Sequence, residues 1–454
     1  MDGQTLALLV IADILLICVL IFISRGAYNK LRTSIEVDEL TSFPNLTKFD
    51  ELLKKELEEK KGHKYAVLMM KIKGMRIVNE IFGEDESNRL IKYVAESIKS
   101  SIGNNIASRM QNNQFIIGYC FSEEKEILDL IHNITSKLEQ YSGNFRPFAL
   151  YGICVTEEKN ETPSDIRSHA NMALECVHDN MLMNYKFYSA EIKSTVIREK
   201  KLENEMLYAL EDEQFVVYFQ PKYDIETGVT IGAEALVRWL HPVEGLIPPN
   251  EFVLLFEKDG LIIKLDEYVW KHTCMKMREW LDKGYDVKPI SVNVSRVNIL
   301  DEGLKQKIID ITTEYRIPHD LLELEITESA FLENADELYA AMDYFRRQGF
   351  TVSMDDFGSG YSSLNMLKDG NVDNVKIDRA FLNETVTTEN GKAVIKSAVS
   401  IVKELNMDVI AEGVENEEQA KFLLGIGCKK AQGFFYSRPV DSEEFERKIF
   451  LNGR

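Results

Sequence analysis

Acids, amides and one lysine punctuate short apolar runs in the second half of the chain. Glu234 lies in the run Ala233-Glu234-Ala235-Leu236-Val237, which continues to Arg238 and Trp239. Asn293 follows Ser291-Val292, Glu325 and Glu328 punctuate 323–329, and Asp355-Asp356 precede Phe357-Gly358. Lys376 stands between Val375 and Ile377, while Glu412 and Glu415 flank Gly413-Val414. A charge in an apolar strand is costly unless it is paired or metal-bound. Taken singly, each has an ordinary explanation. A lone strand glutamate is usually an edge charge, an Asp-Asp pair can cap a helix or form a turn, and a strand-end lysine is usually solvated. Their recurrence in one block argues for a shared site. Oxygen donors without His or Cys suit Mg²⁺ or Mn²⁺ rather than Zn²⁺. Two such ions about 3.5–4 Å apart, sharing a carboxylate, are a standard arrangement for phosphodiester hydrolysis.

These groups need a scaffold that gathers strand ends. Positions 200–454 are close in length to the ~250 residues of an eight-fold β/α barrel. Strand-like runs recur at 215–223, 230–239, 289–294, 322–327, 350–354, 374–377, 408–411 and 431–435, mostly with helical patterns between them. In such a barrel, strand C-terminal ends converge on the mouth. Upstream, 34–188 alternates helices (49–61, 86–100, 124–140, 164–183) with strands (65–72, 107–118, 148–155), which indicates an α/β sheet covered by helices. A charged helical stretch at 191–213 joins the two blocks.

Length and charge agree with this division. The 454 residues suit two or three domains. The chain has 54 Lys and Arg against 74 Asp and Glu, a formal charge of −20, which disfavours DNA or RNA as a partner. Six scattered cysteines with no Cys-x-x-Cys argue against a zinc site and a disulfide framework, and fit a reducing compartment. Residues 6–23 are apolar except for Asp13, so 5–24 is expected to be one transmembrane helix. The first 24 residues carry no Lys or Arg, unlike a cleaved signal peptide. Arg25, Lys30 and Arg32 follow directly, so the N-terminus is expected outside and the rest in the cytoplasm, on a single-pass membrane protein.

The second block resembles the EAL domain, the cyclic di-GMP phosphodiesterase family, over about 200–445. The resemblance rests on Gln220-Pro221, Glu234-Ala235-Leu236 with Arg238-Trp239, the Asn293 and Glu325–Glu328 segments, and Asp355-Asp356-Phe357-Gly358 with Gly360-Tyr361-Ser362-Ser363-Leu364. It continues through Lys376-Ile377-Asp378, Glu412-Gly413-Val414-Glu415 and Gln432-Gly433. It implies a TIM-like (β/α)8 barrel that hydrolyses cyclic di-GMP to linear pGpG with two Mg²⁺ or Mn²⁺ ions. Glu234, Asn293, Glu325 and Asp355 would bind the first metal, and Asp355 would bridge to a second held with Asp356 and Glu412. Lys376 would hydrogen-bond the attacking water. Arg238 would contact a substrate phosphate, with Gln220, Leu236 and Gln432 shaping the substrate pocket. Glu415 would support Lys376 and its neighbours, and Glu328 would anchor the loop 357–363. Lys222 departs from the pattern where an aliphatic residue is common, and Glu257-Lys258-Asp259-Gly260 replaces Glu-Glu-Thr-Gly.

The first block resembles the GGDEF domain, the diguanylate cyclase fold. Its opening, Asp38-Glu39-Leu40-Thr41 with Pro44-Asn45-Leu46 and Phe49, is retained. Arg109-Met110-Gln111-Asn112-Asn113-Gln114-Phe115 stands where Arg-x-Gly-Gly-Asp-Glu-Phe belongs. Lys71-Ile72-Lys73 replaces the metal-binding Asp-x-Asp, and 102–105 lack the inhibitory Arg-x-x-Asp. No cyclase activity is expected. Two readings stay open: a spacer and dimerisation module, giving a homodimer, or a regulator that binds GTP phosphates through Lys71, Lys73 and Arg76. For the barrel, the alternatives are a cyclic di-GMP receptor that does not cleave and a membrane scaffold.

Overall fold

A strand buried on both faces reads as an unbroken apolar run, and Lys64–Ile72 (β1) is one, buried continuously from Tyr65 to Met70. Period-two alternation divides its side chains between two faces. Ala66, Leu68, Met70 and Ile72 join one core, and Tyr65, Val67 and Met69 the other. The computed structural model describes residues 36–451 except 60–63, 111–112, 157–160, 178–182, 296–297, 299–301, 329, 331–334, 359–366, 368–371 and 386–387. The chain divides into two units at Arg198/Glu199. The transmembrane helix expected at 5–24 lies outside the described residues. Among the described residues, no helix is long and apolar enough to cross a membrane.

In the first unit Ile106–Arg109 (β2), Gln114–Phe121 (β3), Ala149–Val155 (β4) and Tyr185–Phe187 (β5) join β1 in the order β2-β3-β1-β4-β5. All pairings are antiparallel except β4 with β5. The helices Leu46–Glu59, Met75–Ile102, Glu124–Leu138 and Pro163–Glu175 supply the covering faces. Gly152 on β4 is where a helix rests on the sheet. A Cβ there would fall on the Ala170 carbonyl and the Leu174 amide, so only glycine fits.

Three expectations change here. The run 107–118 is not one strand but the hairpin β2–β3, closed by the Met110 N–H donating to the Gln114 carbonyl at 2.9 Å. Amide side chains at 111–114 favour a turn over a continuing strand. The helix expected at 86–100 is the later part of Met75–Ile102, which breaks at Gly83 (φ 79°, ψ 174°). The helix expected at 164–183 ends at Glu175, and three-residue β5 is too short to leave a periodic signal.

The second unit contains Phe215–Asp224 (β6), Thr230–His241 (β7), Gly245–Ile247 (β8), Ile290–Asn293 (β9), Leu322–Thr327 (β10), Thr351–Phe357 (β11), Asn374–Ile377 (β12), Asp408–Ala411 (β13) and Lys430–Ala431 (β14). Their order is β6-β14-β13-β12-β11-β10-β9-β7-β8. β6 also pairs with β7, so eight strands close a barrel and β8 is a hairpin partner of β7. The uniform β/α repeat fails at one strand: β6 is antiparallel to both neighbours. Only a tight turn links β6 to β7, with Asp224 Oδ1 accepting the Thr227 N–H at 2.8 Å. A parallel pair would need a crossover of a dozen or more residues. β14 is shorter than the run 431–435, because after Ala431 the chain bonds instead to Val414.

The barrel interior differs from the usual layers of branched apolar residues. Two-residue spacing turns alternate residues inward. Glu323 and Glu325 on β10, Ser353 and Asp355 on β11, and Asn374 and Lys376 on β12 are buried polar pairs. Between them, Leu324, Val352, Met354 and Val375 belong to the main apolar core.

Candidate active site

Lys376 organises the barrel's polar centre. It is fully buried, and Nζ lies 2.7 Å from Glu325 Oε2, 3.2 Å from Asp355 Oδ1, 3.4 Å from Glu234 Oε2 and 2.6 Å from Glu412 Oε1. Burial alone would lower its pKa, but the surrounding carboxylates hold it well above the usual lysine value. Strand register builds the cluster: Glu234 pairs with Ser291, Glu325 with Asn293 and Thr327 with Asp355.

The carboxylates are not equivalent. Burial pushes the Glu325 pKa up, but Lys222 and Lys376 outweigh it and hold it at about 2. Burial raises Asp355 to about 6, with Lys376 opposing and Glu325 reinforcing. Glu234 and Glu412 are likewise raised by burial against the pull of Lys376. Glu234 accepts from Asn293 Nδ2 at 3.2 Å and from Gln432 Nε2 at 2.6 Å, so both carboxylate oxygens are oriented.

β11 carries a register shift between Met354 and Phe357. Asp356 within it has φ 58°, and its N–H donates to Asp355 Oδ1 at 2.9 Å. Such bulges re-aim side chains beside sites. Glu328 is buried and accepts the Gly358 N–H at 3.0 Å. Gly358 has φ 100°, a conformation that favours glycine. The rest of the expected loop, 359–363, lies outside the described residues.

Oxygens of Glu234, Glu325 and Asp355 come within 4.8 Å of one another. This all-oxygen set, with the Asn293 amide beside it and no His or Cys, fits a hard divalent cation. Next to it is a cleft of about 240 Å³ lined by Gln220, Leu236, Glu412, Gln432 and Phe434. Gln432 Nε2 also donates to Gln220 Oε1 at 3.0 Å. Arg238 donates to the Val237 carbonyl at 2.8 Å and stands over the Tyr218 ring. Glu415, two residues beyond Gly413 (φ 62°), is exposed and pairs with Arg379 at 2.6 Å. The four interior residues Lys222, Glu323, Ser353 and Asn374 were not among the expected site residues. Two acids spaced i, i+2 at 323 and 325 were the available signal.

Asp266, on the helix Ile262–Asp282, braces the segment after β9. Its Oδ2 accepts the Ser295 N–H at 2.9 Å and Asn298 Nδ2 at 2.7 Å. Burial nevertheless pushes its pKa up to about 6. The folded state therefore holds this proton more tightly than the unfolded chain. The contribution to stability is full below about pH 4 and lost as pH rises through about 6. Asp266→Asn is expected to raise Tm at pH 8 by a few degrees and to leave it unchanged at pH 4. An equal shift at both pH values in thermal melts would refute the assignment.

In the first unit, the Ile72 N–H donates to the Asn113 carbonyl at 3.0 Å, and the Asn113 side chain donates back to the Ile72 carbonyl. Lys71 is exposed and sits opposite Gln114. Arg76 is exposed and pairs with Glu80 at 2.8 Å. Gln111 and Asn112 lie outside the described residues.

Comparison with known proteins agrees with this geometry. The family model described as EAL domain matches residues 203–439, and that described as Diguanylate cyclase, GGDEF domain, matches 35–183. The chain is 31% identical over 414 residues to the Pseudomonas aeruginosa protein named bifunctional diguanylate cyclase/cyclic di-GMP phosphodiesterase MucR, covering 90% of this chain and 60% of that one. It is 27% identical over 434 residues to the Escherichia coli cyclic di-GMP phosphodiesterase PdeR, covering 93% and 64%. The chain thus spans less than two thirds of the length of these relatives. Among solved structures, the PaMucR phosphodiesterase, c-di-GMP complex is 38% identical with a TM-score of 0.52, covering 54% of this chain and 99% of that one. The Vibrio cholerae LapD S helix-GGDEF-EAL structure, 19% identical with a TM-score of 0.59, covers 90% and 98% and shares the fold.

Proposed function

The chain belongs to the EAL domain family, and from that premise we propose that it is a metal-dependent phosphodiesterase that hydrolyses cyclic di-GMP to linear pGpG. The observation that carries this reading is the buried oxygen cluster of Glu234, Glu325 and Asp355 around Lys376. Glu234, Asn293, Glu325 and Asp355 would hold one divalent cation, and Asp355, Asp356 and Glu412 a second. Such cations, when bound, make water a usable nucleophile near neutral pH and offset phosphate charge.

The chain's own groups supply orientation. Asn293 and Gln432 fix the two oxygens of Glu234. Lys376 Nζ carries three donor hydrogens and would direct one to the attacking water, favouring the transition state over the bound substrate. Gln220, Leu236 and Gln432 would shape the substrate cleft, and Arg238 would take a phosphate. For the first unit, the amides at 113–114 and the lysines at 71 and 73 support a GGDEF domain without cyclase activity. The apolar stretch 5–24 supports membrane attachment with both units in the cytoplasm.

The test is to offer cyclic di-GMP to the purified full chain with Mg²⁺ or Mn²⁺, and again with excess chelator. Metal-dependent release of pGpG is the expected result. Binding without cleavage would make the protein a receptor, and neither would leave a scaffold. GTP offered to the same preparation is expected to yield no cyclic di-GMP.

A further inference from the structure

Lys222 enters the barrel two residues beyond Gln220 and is buried, with 2% of its surface exposed. Its Nζ donates to Glu325 Oε1 at 2.8 Å and to Glu323 Oε2 at 2.9 Å. Glu323 is braced from behind, since Oε1 accepts Asn374 Nδ2 at 3.1 Å and the Ser353 hydroxyl. Asn374 Nδ2 also donates to Ser353 Oγ at 3.0 Å. Glu323, Ser353 and Asn374 each lie two residues before a member of the cluster, namely Glu325, Asp355 and Lys376. Two-residue spacing along adjacent strands makes them an inward layer directly beneath the site.

Lys222, Glu323 and Asn374 line a cleft of about 490 Å³ together with Gly232, Pro289 and Lys430. These positions mark the N-terminal ends of the parallel strands, opposite the candidate active site. A buried ion pair seldom outperforms apolar filling as a source of stability, so packing alone is a weak reason for it. Its effect on Glu325 is specific: Oε1 is committed to Lys222, and Oε2 faces Lys376 at 2.7 Å.

We propose that Lys222 is a positioning residue that clamps Glu325 through Oε1 and leaves Oε2 as the oxygen presented to a divalent cation. The proposal rests on the metal-dependent reading above. Groups that orient a ligand from behind typically change metal affinity by about 10–100-fold when removed.

The test uses the full chain carrying Lys222→Met with Glu323→Gln. This pair removes one cation and one anion, so the local charge is unchanged, and the amide oxygen at 323 can still accept from Ser353 and Asn374. Mn²⁺ alone is titrated by calorimetry, without substrate. The expected result is Mn²⁺ binding about tenfold or more weaker than in the wild type, with cyclic di-GMP turnover recovering at excess Mn²⁺. A lower Tm with unchanged Mn²⁺ affinity would identify the pair as filling and overturn the proposal. Lys222→Gln, which keeps an N–H donor in the same space, serves if the double variant does not fold. It should weaken Mn²⁺ binding by several fold, and unchanged affinity would again overturn the proposal. Because the titration needs no substrate, a wild-type chain that binds Mn²⁺ but cleaves no cyclic di-GMP would sink the phosphodiesterase reading and leave the Lys222 result standing.

Discussion

Lys376→Met is expected to lower kcat for cyclic di-GMP by a hundredfold or more while changing KM by less than tenfold. A positioned donor acting on the reacting group typically contributes about 10²–10⁴-fold, and a group engaged mainly in the transition state affects kcat more than binding. The same substitution should act on the fold. Four carboxylates lie within 3.4 Å of Nζ, and removing one partner of a buried ion pair costs about 3–5 kcal/mol. At about 2–4 °C per kcal/mol for a unit of this size, Tm in chelator should fall by roughly 10 °C. The fall should be larger at pH 8 than at pH 6. Asp355 and Glu412, already raised by burial, can take up protons and relieve the repulsion at the lower pH. Added Mn²⁺ should restore most of the lost Tm, because a ligand that binds only the folded state stabilises it. A change confined to KM would move Lys376 from catalysis to substrate binding. An unchanged Tm in chelator would contradict its role as counter-charge.

Glu234→Gln is expected to reduce hydrolysis by about a thousandfold or more with no loss of fold. The substitution keeps volume, but its one carbonyl oxygen can accept from only one of Asn293 Nδ2 and Gln432 Nε2, which the carboxylate serves with separate oxygens. What it removes is a charge from the oxygen set, and charge stabilisation through a bound cation is worth several kcal/mol in the transition state. Without metal, Tm should stay within a few degrees of the wild type, since the hydrogen bond lost is offset by burying an amide in place of a carboxylate raised by desolvation. Far-ultraviolet circular dichroism and melting curves establish the fold, and pGpG release gives the rate. Turnover within tenfold of the wild type would remove Glu234 from the metal site.

The local pattern of the chain already located most of the scaffold. Leu322–Thr327, Asn374–Ile377 and Asp408–Ala411 are strands at the positions that their apolar runs indicate, because strand period and apolar content are properties of neighbouring residues. The acids and Lys376 were legible for the same reason: a charge inside such a run stands out without any knowledge of its partner. The partners themselves depend on the closed barrel. Lys376 reaches Glu234 across 142 residues of sequence and Lys222 reaches Glu323 across 101, separations that no local pattern encodes. Barrel closure also stacks the Lys222 layer beneath the site and sets β6 between β7 and β14. Each of these follows from which strands become neighbours and in which register. That choice belongs to the packed fold, where a lysine in place of an aliphatic side chain becomes the clamp on a site carboxylate.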